Sequence, residues 1–162
     1  PVFDVLGGIL DAGRTGLLYR ELVRDRQIAL GASTGATFPG GLYPNLFLFW
    51  VTPSPGHTVL ENERAVYEII ERLKTQPVDA QTLARVKTRV RASLLRQLDS
   101  NTGMAAELAF YRANYGDWRK MFTGLNDIDR VTAQDVQRVA RQYFTTEART
   151  VVFTVPTPGE SR

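Results

Sequence analysis

An α+β fold is what this sequence predicts, a mostly antiparallel sheet with its helices packed on one face. Two strand-favouring runs, Ile28 to Phe38 and Leu46 to Val51, are joined by a turn containing Pro39-Gly40-Gly41. Long stretches on either side of them repeat apolar residues at three- and four-residue spacing. A third β-branched run, Thr150 to Val155, completes the order helices, hairpin, helices, strand. With 162 residues, 43% of them apolar, the chain can fill one core and is too short for two ordinary domains. The domain is drawn at 1–155, with 156–162 a polar, mobile tail.

Val2 to Leu10 reads as the tail of a helix, truncated at its front, that runs into a turn at Gly13. From Leu17, the positions Leu18, Leu22 and Val23 oppose Arg20, Arg24 and Arg26, giving an amphipathic helix that ends at Gln27. After the hairpin, Thr58 to Thr75 carries Val66, Ile69, Ile70 and Leu73 on one helical face. Asp79 caps a second helix with Leu83, Val86, Val90 and Leu94 in register, and Ser100 opens a third through Met104, Leu108, Tyr111 and Tyr115. A short helical piece spans Trp118 to Leu125. Thr132 then caps Val136, Val139, Ala140, Tyr143 and Phe144, with Asp135 facing the free first-turn amides.

Composition excludes several classes of function. Twenty basic against 17 acidic residues give +3, spread along the chain, which does not argue for nucleic acid. Without cysteine there is no disulfide or thiolate site. The longest apolar run, Leu46 to Val51, is far below the roughly 20 residues that span a bilayer. The chain begins at Pro1 without a leader and reads as a soluble piece of something longer.

Two catalytic look-alikes fail on context. Gly8 to Thr15 nearly spells a phosphate loop, but Arg14 stands for the lysine, Asp11 sits where phosphates would be repelled, and a helix precedes it instead of a strand. Gly31-Ala-Ser33-Thr-Gly35 matches the nucleophile elbow, yet more strand follows Ser33. No acid lies between Ser33 and His57, the only histidine. Its glycines are expected to let another backbone approach the strand. His57 with Glu61 is too poor a ligand set for zinc and reads as a solvent-contacting residue near a helix start. Arg85, Lys87, Arg89, Arg91 and Arg96 lack the interleaved aromatics of a nucleic-acid face and read as a solvated surface. No catalytic, cofactor-binding or metal-ligating residue is assigned.

Gly7-Gly8, then Gly13 to Val23 and Gln27-Ile28-Ala29, resembles a segment of the inverzincin zinc metallopeptidases, the group of pitrilysin, insulin-degrading enzyme and mitochondrial processing peptidase. Supporting pieces follow in the same order: Pro55-Gly56, the helix with Glu63, the helix from Asp79, Val131 to Val136 leading into Ala140 to Phe144, and a closing strand ending in Pro156. The resemblance spans nearly the whole chain. It implies a processing-peptidase-like half-domain whose sheet lacks its first strand, and pairs of such halves enclose a chamber in which peptides are cut.

The family's H-x-x-E-H zinc motif is absent here, so the resemblance implies a second, C-terminal, non-catalytic half. Zinc is expected in the parent protein and not in this piece. The implied partners are an N-terminal zinc-bearing half-domain, a partner subunit or second protomer, and a peptide substrate. Where many such halves hold substrate with an arginine and a tyrosine, this chain has Val23 and Leu30, and the family's Ser-Arg is Gly16-Leu17. Another subunit is therefore expected to supply the arginine and tyrosine. The parent reads as bacterial, with the periplasm favoured over the cytoplasm. Two rivals stand beside this reading, a scaffold like the core subunits of the respiratory cytochrome complex, and a basic interaction module.

Overall fold

The structure, a computed structural model, describes residues 1–40 and 43–154. Gly41 of the expected turn, Val155 and the expected tail at 156–162 lie outside the described residues. Chain order is α1 (Val2–Leu10), a π-helical segment (Tyr19–Asp25), β1 (Ala29–Phe38), β2 (Leu46–Pro53), α2 (Val59–Thr75), α3 (Ala80–Gln97), α4 (Asn101–Tyr115), α5 (Lys120–Arg130) and α6 (Ala133–Tyr143). It is the α+β arrangement the sequence predicts, an antiparallel hairpin with helices against one face.

Helix α1 is almost wholly apolar, and the fold uses that by packing it against α3, α6 and β1, with Val5, Leu6, Ile9 and Leu10 buried. Gly8 sets the approach of α3, since a β-carbon there would lie 2.7 Å from Val86 Cγ1. The next helix begins at Leu17 as expected but widens. The Arg26 N–H donates to the carbonyl five residues back, at Glu21 (3.0 Å), and the segment ends where Gln27 turns left-handed at φ 54°. Leu18 and Leu22 stay fully buried through this wide turn.

Capping side chains fix the starts of α2, α3, α4 and α6. Thr58 accepts the Glu61 N–H (3.1 Å), Asp79 that of Thr82 (2.8 Å) and Ser100 that of Gly103 (3.0 Å). Thr132 and Asp135 form a reciprocal capping box. The apolar stripes of α2 and α6 close the core through Ile69, Leu73, Val136 and Ala140. Helix α5 runs on to Arg130, past the expected end near Leu125, because Ile128 is buried.

One expectation is corrected. Residues 150–154 form no strand: Val152 is 87% exposed and neither β1 nor β2 pairs with them. β-branched residues suit a pleated, half-buried surface, and residues 150–154 are exposed throughout. The stripe of α4 finds only part of a partner, since none of its side chains is buried and Tyr115 is 53% exposed.

Candidate functional site

The hairpin divides its side chains between two environments. Ala32 pairs with Val51 and Thr34 with Phe49, and with Phe47 these residues turn toward the helices. Phe144 packs edge-on against Phe47 and Phe49, with ring centroids 5.1 and 5.7 Å apart, and Phe3 meets Phe47 at 6.3 Å. Strand alternation sends Ser33, Gly35, Leu46, Leu48 and Trp50 to the opposite face. There Leu46 is 60% exposed and Trp50 50%. The Trp50 ring lies over Gly35, where a β-carbon would come within 3.0 Å of Cζ3. A side chain thus occupies the space at Gly35, instead of the approaching backbone the sequence suggested. The uncharged run from Ile28 to Gly56 was the signal in the sequence for this open apolar face.

The phosphate-loop look-alike is already satisfied from within. The Asp11 carboxylate accepts the N–H groups of Thr34 (3.1 Å) and Gly13 (3.4 Å), and the Thr15 hydroxyl donates to the Ala12 carbonyl (3.0 Å). Helix α1 leads into it, whereas a phosphate loop needs a strand. Ser33 stands mid-strand opposite Trp50, with no sharp elbow to present its hydroxyl.

His57 lies just before α2, and its Nδ1 sits 2.9 Å from Glu61 Oε2. Both flank an open groove of about 600 Å³ that Arg26, Arg64 and Glu68 also line. Arg26 donates to Glu68 (2.7 Å), so much of the groove's charge is paired within the chain. Among the described residues, no group of three His, Asp or Glu side chains could hold a metal ion.

The basic residues of α3 work as ties between elements. Lys87 donates to the Asp129 carbonyl (2.9 Å), Arg91 pairs with the Asp129 carboxylate, and Arg89 donates to the Ala12 carbonyl (2.6 Å). They join α3 to α5 and to the turn after α1. Arg85 donates to Thr82 on its own helix (3.0 Å). No helix of the described residues is long and apolar enough to cross a membrane.

The two positions singled out by resemblance separate in environment. Val23 packs half-buried against the core, and Leu30 stands 64% exposed at the irregular step that opens β1. Buried polar chemistry centres on Asn62, 2% exposed, whose Nδ2 donates to the carbonyls of Ile28 (2.9 Å) and Thr58 (3.0 Å). Nothing in the local sequence flagged it.

No protein-family model matches the chain. The chain is similar to the zinc protease PqqE of Helicobacter pylori, at 25% identity over 160 residues that make up 94% of this chain and 34% of that protein. It therefore spans about a third of the length of this curated relative. Among solved structures it is similar to a protein assigned as a zinc protease in Bordetella pertussis Tohama I (TM-score 0.83, 24% identity, 96% of this chain and 84% of that one). It is also similar to the inactive peptidase domain of a protein assigned as a zinc protease in Bordetella parapertussis (TM-score 0.82, 22% identity, 99% and 85%). A chain of Complex III2 from Candida albicans shares the fold at TM-score 0.72 and 15% identity, over 87% of this chain and 35% of that one. The resemblance read from the sequence is borne out: the chain is similar in sequence to a zinc protease and shares its fold with domains of proteins assigned as zinc proteases.

Proposed function

We propose that this chain is the non-catalytic half of a zinc-dependent metallopeptidase, and that it walls a peptide-cutting chamber together with a zinc-bearing half. The observation that carries the reading is the match of 99% of the chain to an inactive peptidase domain. A sequence with one histidine and no cysteine supports it, since catalytic zinc is usually held by three protein ligands rich in histidine. In this reading the metal and the base that would activate water belong to the other half. This chain supplies a rigid hairpin, pinned by the Phe3, Phe47, Phe49 and Phe144 cluster, that faces the space between them.

The experiment joins this chain to the zinc-bearing half of its parent and follows a quenched fluorescent peptide. Hydrolysis is expected only when both halves are present, with the chain alone at background and holding well under one zinc per molecule. Activity of the chain alone, or tight stoichiometric zinc on it, would sink the proposal. The likeness to the Complex III2 chain favours one second reading, a scaffold subunit without activity. That reading expects no H-x-x-E-H segment in the parent or its partner subunit and no cleavage by any combination.

A further inference from the structure

The open face of the hairpin carries a selectivity of its own. From Ile28 to Gly56 there is no Asp, Glu, Lys, Arg or His, in a chain that is 23% charged. Edge strands and bare sheet faces ordinarily carry charge to keep neighbours off. This one presents Phe38, Leu46, Leu48 and Trp50 around the small residues Ser33 and Gly35. Trp50 is held in place by its seat on Gly35, so it is a preformed contact surface.

Size limits what can sit there. Two strands of about eight residues make a ribbon about 26 Å long and about 10 Å wide, on the order of 250 Å². A stable protein interface needs about 800 Å² on each side, so the face is too small to hold a folded partner or a second copy by itself. It matches one extended peptide of roughly eight residues, at about 3.3 Å per residue. A charged side chain laid on it would lose water and find no counter-charge, whereas an apolar one would bury area at no such cost.

We infer that this face is a substrate subsite that takes extended, uncharged, apolar peptide segments. The inference rests on the peptidase-half reading and adds the class of substrate to it.

The test uses the whole 162-residue chain carrying Trp118→Phe, so that Trp50 is the only indole reporting. It is titrated with a capped peptide of alternating Val, Ala, Leu and Ser, and with a sister peptide bearing Glu or Lys at alternate positions. Saturable change in Trp50 emission is expected with the first, at least about tenfold tighter than with the second. Ser33→Glu should abolish it while the far-ultraviolet circular dichroism stays unchanged. Leu46→Glu serves the same purpose at the strand end if Ser33→Glu misfolds.

Equal affinity for both peptides, or no binding, overturns the subsite. A concentration-dependent dimer that Ser33→Glu dissolves would assign the face to a second copy instead. In the complete parent, equal kcat/KM for the two peptides removes the subsite and leaves the peptidase reading standing. Failure to cleave any peptide removes the reading itself.

Discussion

The carboxylate of Asp11 accepts the backbone N–H of Thr34 at 3.1 Å, across 23 residues of sequence. A β1 amide that donates outside the sheet points away from β2, so Asp11 covers the outer edge of the hairpin. Asp11→Ala should cost about 1–3 kcal/mol, because a half-buried donor loses its acceptor. It should also raise aggregation, since a bare strand edge is a pairing template. Asp11→Asn keeps an acceptor and should recover most of the loss. Urea unfolding and light scattering check both, and equal stability of the Ala and Asn variants would contradict the role.

Gly16 is packed by backbone on its Cβ side, with Ala12 N 2.4 Å and the Leu10 carbonyl 2.6 Å from where a β-carbon would stand. Backbone gives way less readily than a side-chain tip. Gly16→Ala should destabilise by about 1–3 kcal/mol or more. Gly16→Ser, which adds a still larger side chain, should fail similarly. A thermal melt unchanged by either substitution would count against the close packing.

Asn62 ties the start of α2 to the start of β1 through the Thr58 and Ile28 carbonyls. Among the described residues its own Oδ1 is buried without a partner. Asn62→Leu should strand both carbonyls and lower stability by about 1–3 kcal/mol. Wild-type stability in that variant would show the two bonds to be dispensable.

Acid should unfold the chain partly through its helix caps. The Thr82 backbone N–H holds the Asp79 carboxyl below the usual carboxylate range, and the Thr132 hydroxyl and backbone do so for Asp135. A carboxyl depressed in the folded state adds stability above its unfolded pKa, near 3.9, and loses it as pH falls through the lower folded value. Stability should therefore drop steeply below about pH 4, and Asp135→Asn should flatten that slope. An unaltered slope in the variant would remove Asp135 from the account.

At the alkaline end, burial and the hydrogen bond to Glu63 push the Tyr67 phenol up to about 12. A raised phenol favours the folded state below its unfolded pKa, near 10, and that contribution fades between about pH 10 and 12. In a spectrophotometric titration, Tyr67→Phe should delete a tyrosine that ionises near pH 12. Loss of an early-ionising one would contradict the assignment.

What the sequence disclosed follows the range of the forces involved. Thr58, Asp79, Ser100 and Thr132 mark helix starts because a cap is settled within three residues. The hairpin is readable from composition and its turn, but which alternation faces inward is decided by partners such as Phe144, which packs on Phe47 and Phe49 from far along the chain. Residues 150–154 show the converse: their composition is that of a strand, and no neighbouring strand pairs with them. Neither the Asp11 to Thr34 bond nor the Asn62 to Ile28 bond has a local signature, because each joins segments more than 20 residues apart. The widening at Tyr19–Asp25 is equally silent, since the same leucines would line an ordinary helix.

Helix α4 buries none of its side chains, while α1, α2 and α6 share the core. Opening α4 exposes little new apolar surface, so its free energy of opening lies far below that of the whole domain. Its amides should exchange with solvent deuterium long before those of α1, in a step that leaves the core intact. Helix α4 then opens as a unit of its own, ahead of the core that α1, α2 and α6 share. A second half-domain seated on α4 would slow that exchange, and the slowed amides would trace its footprint.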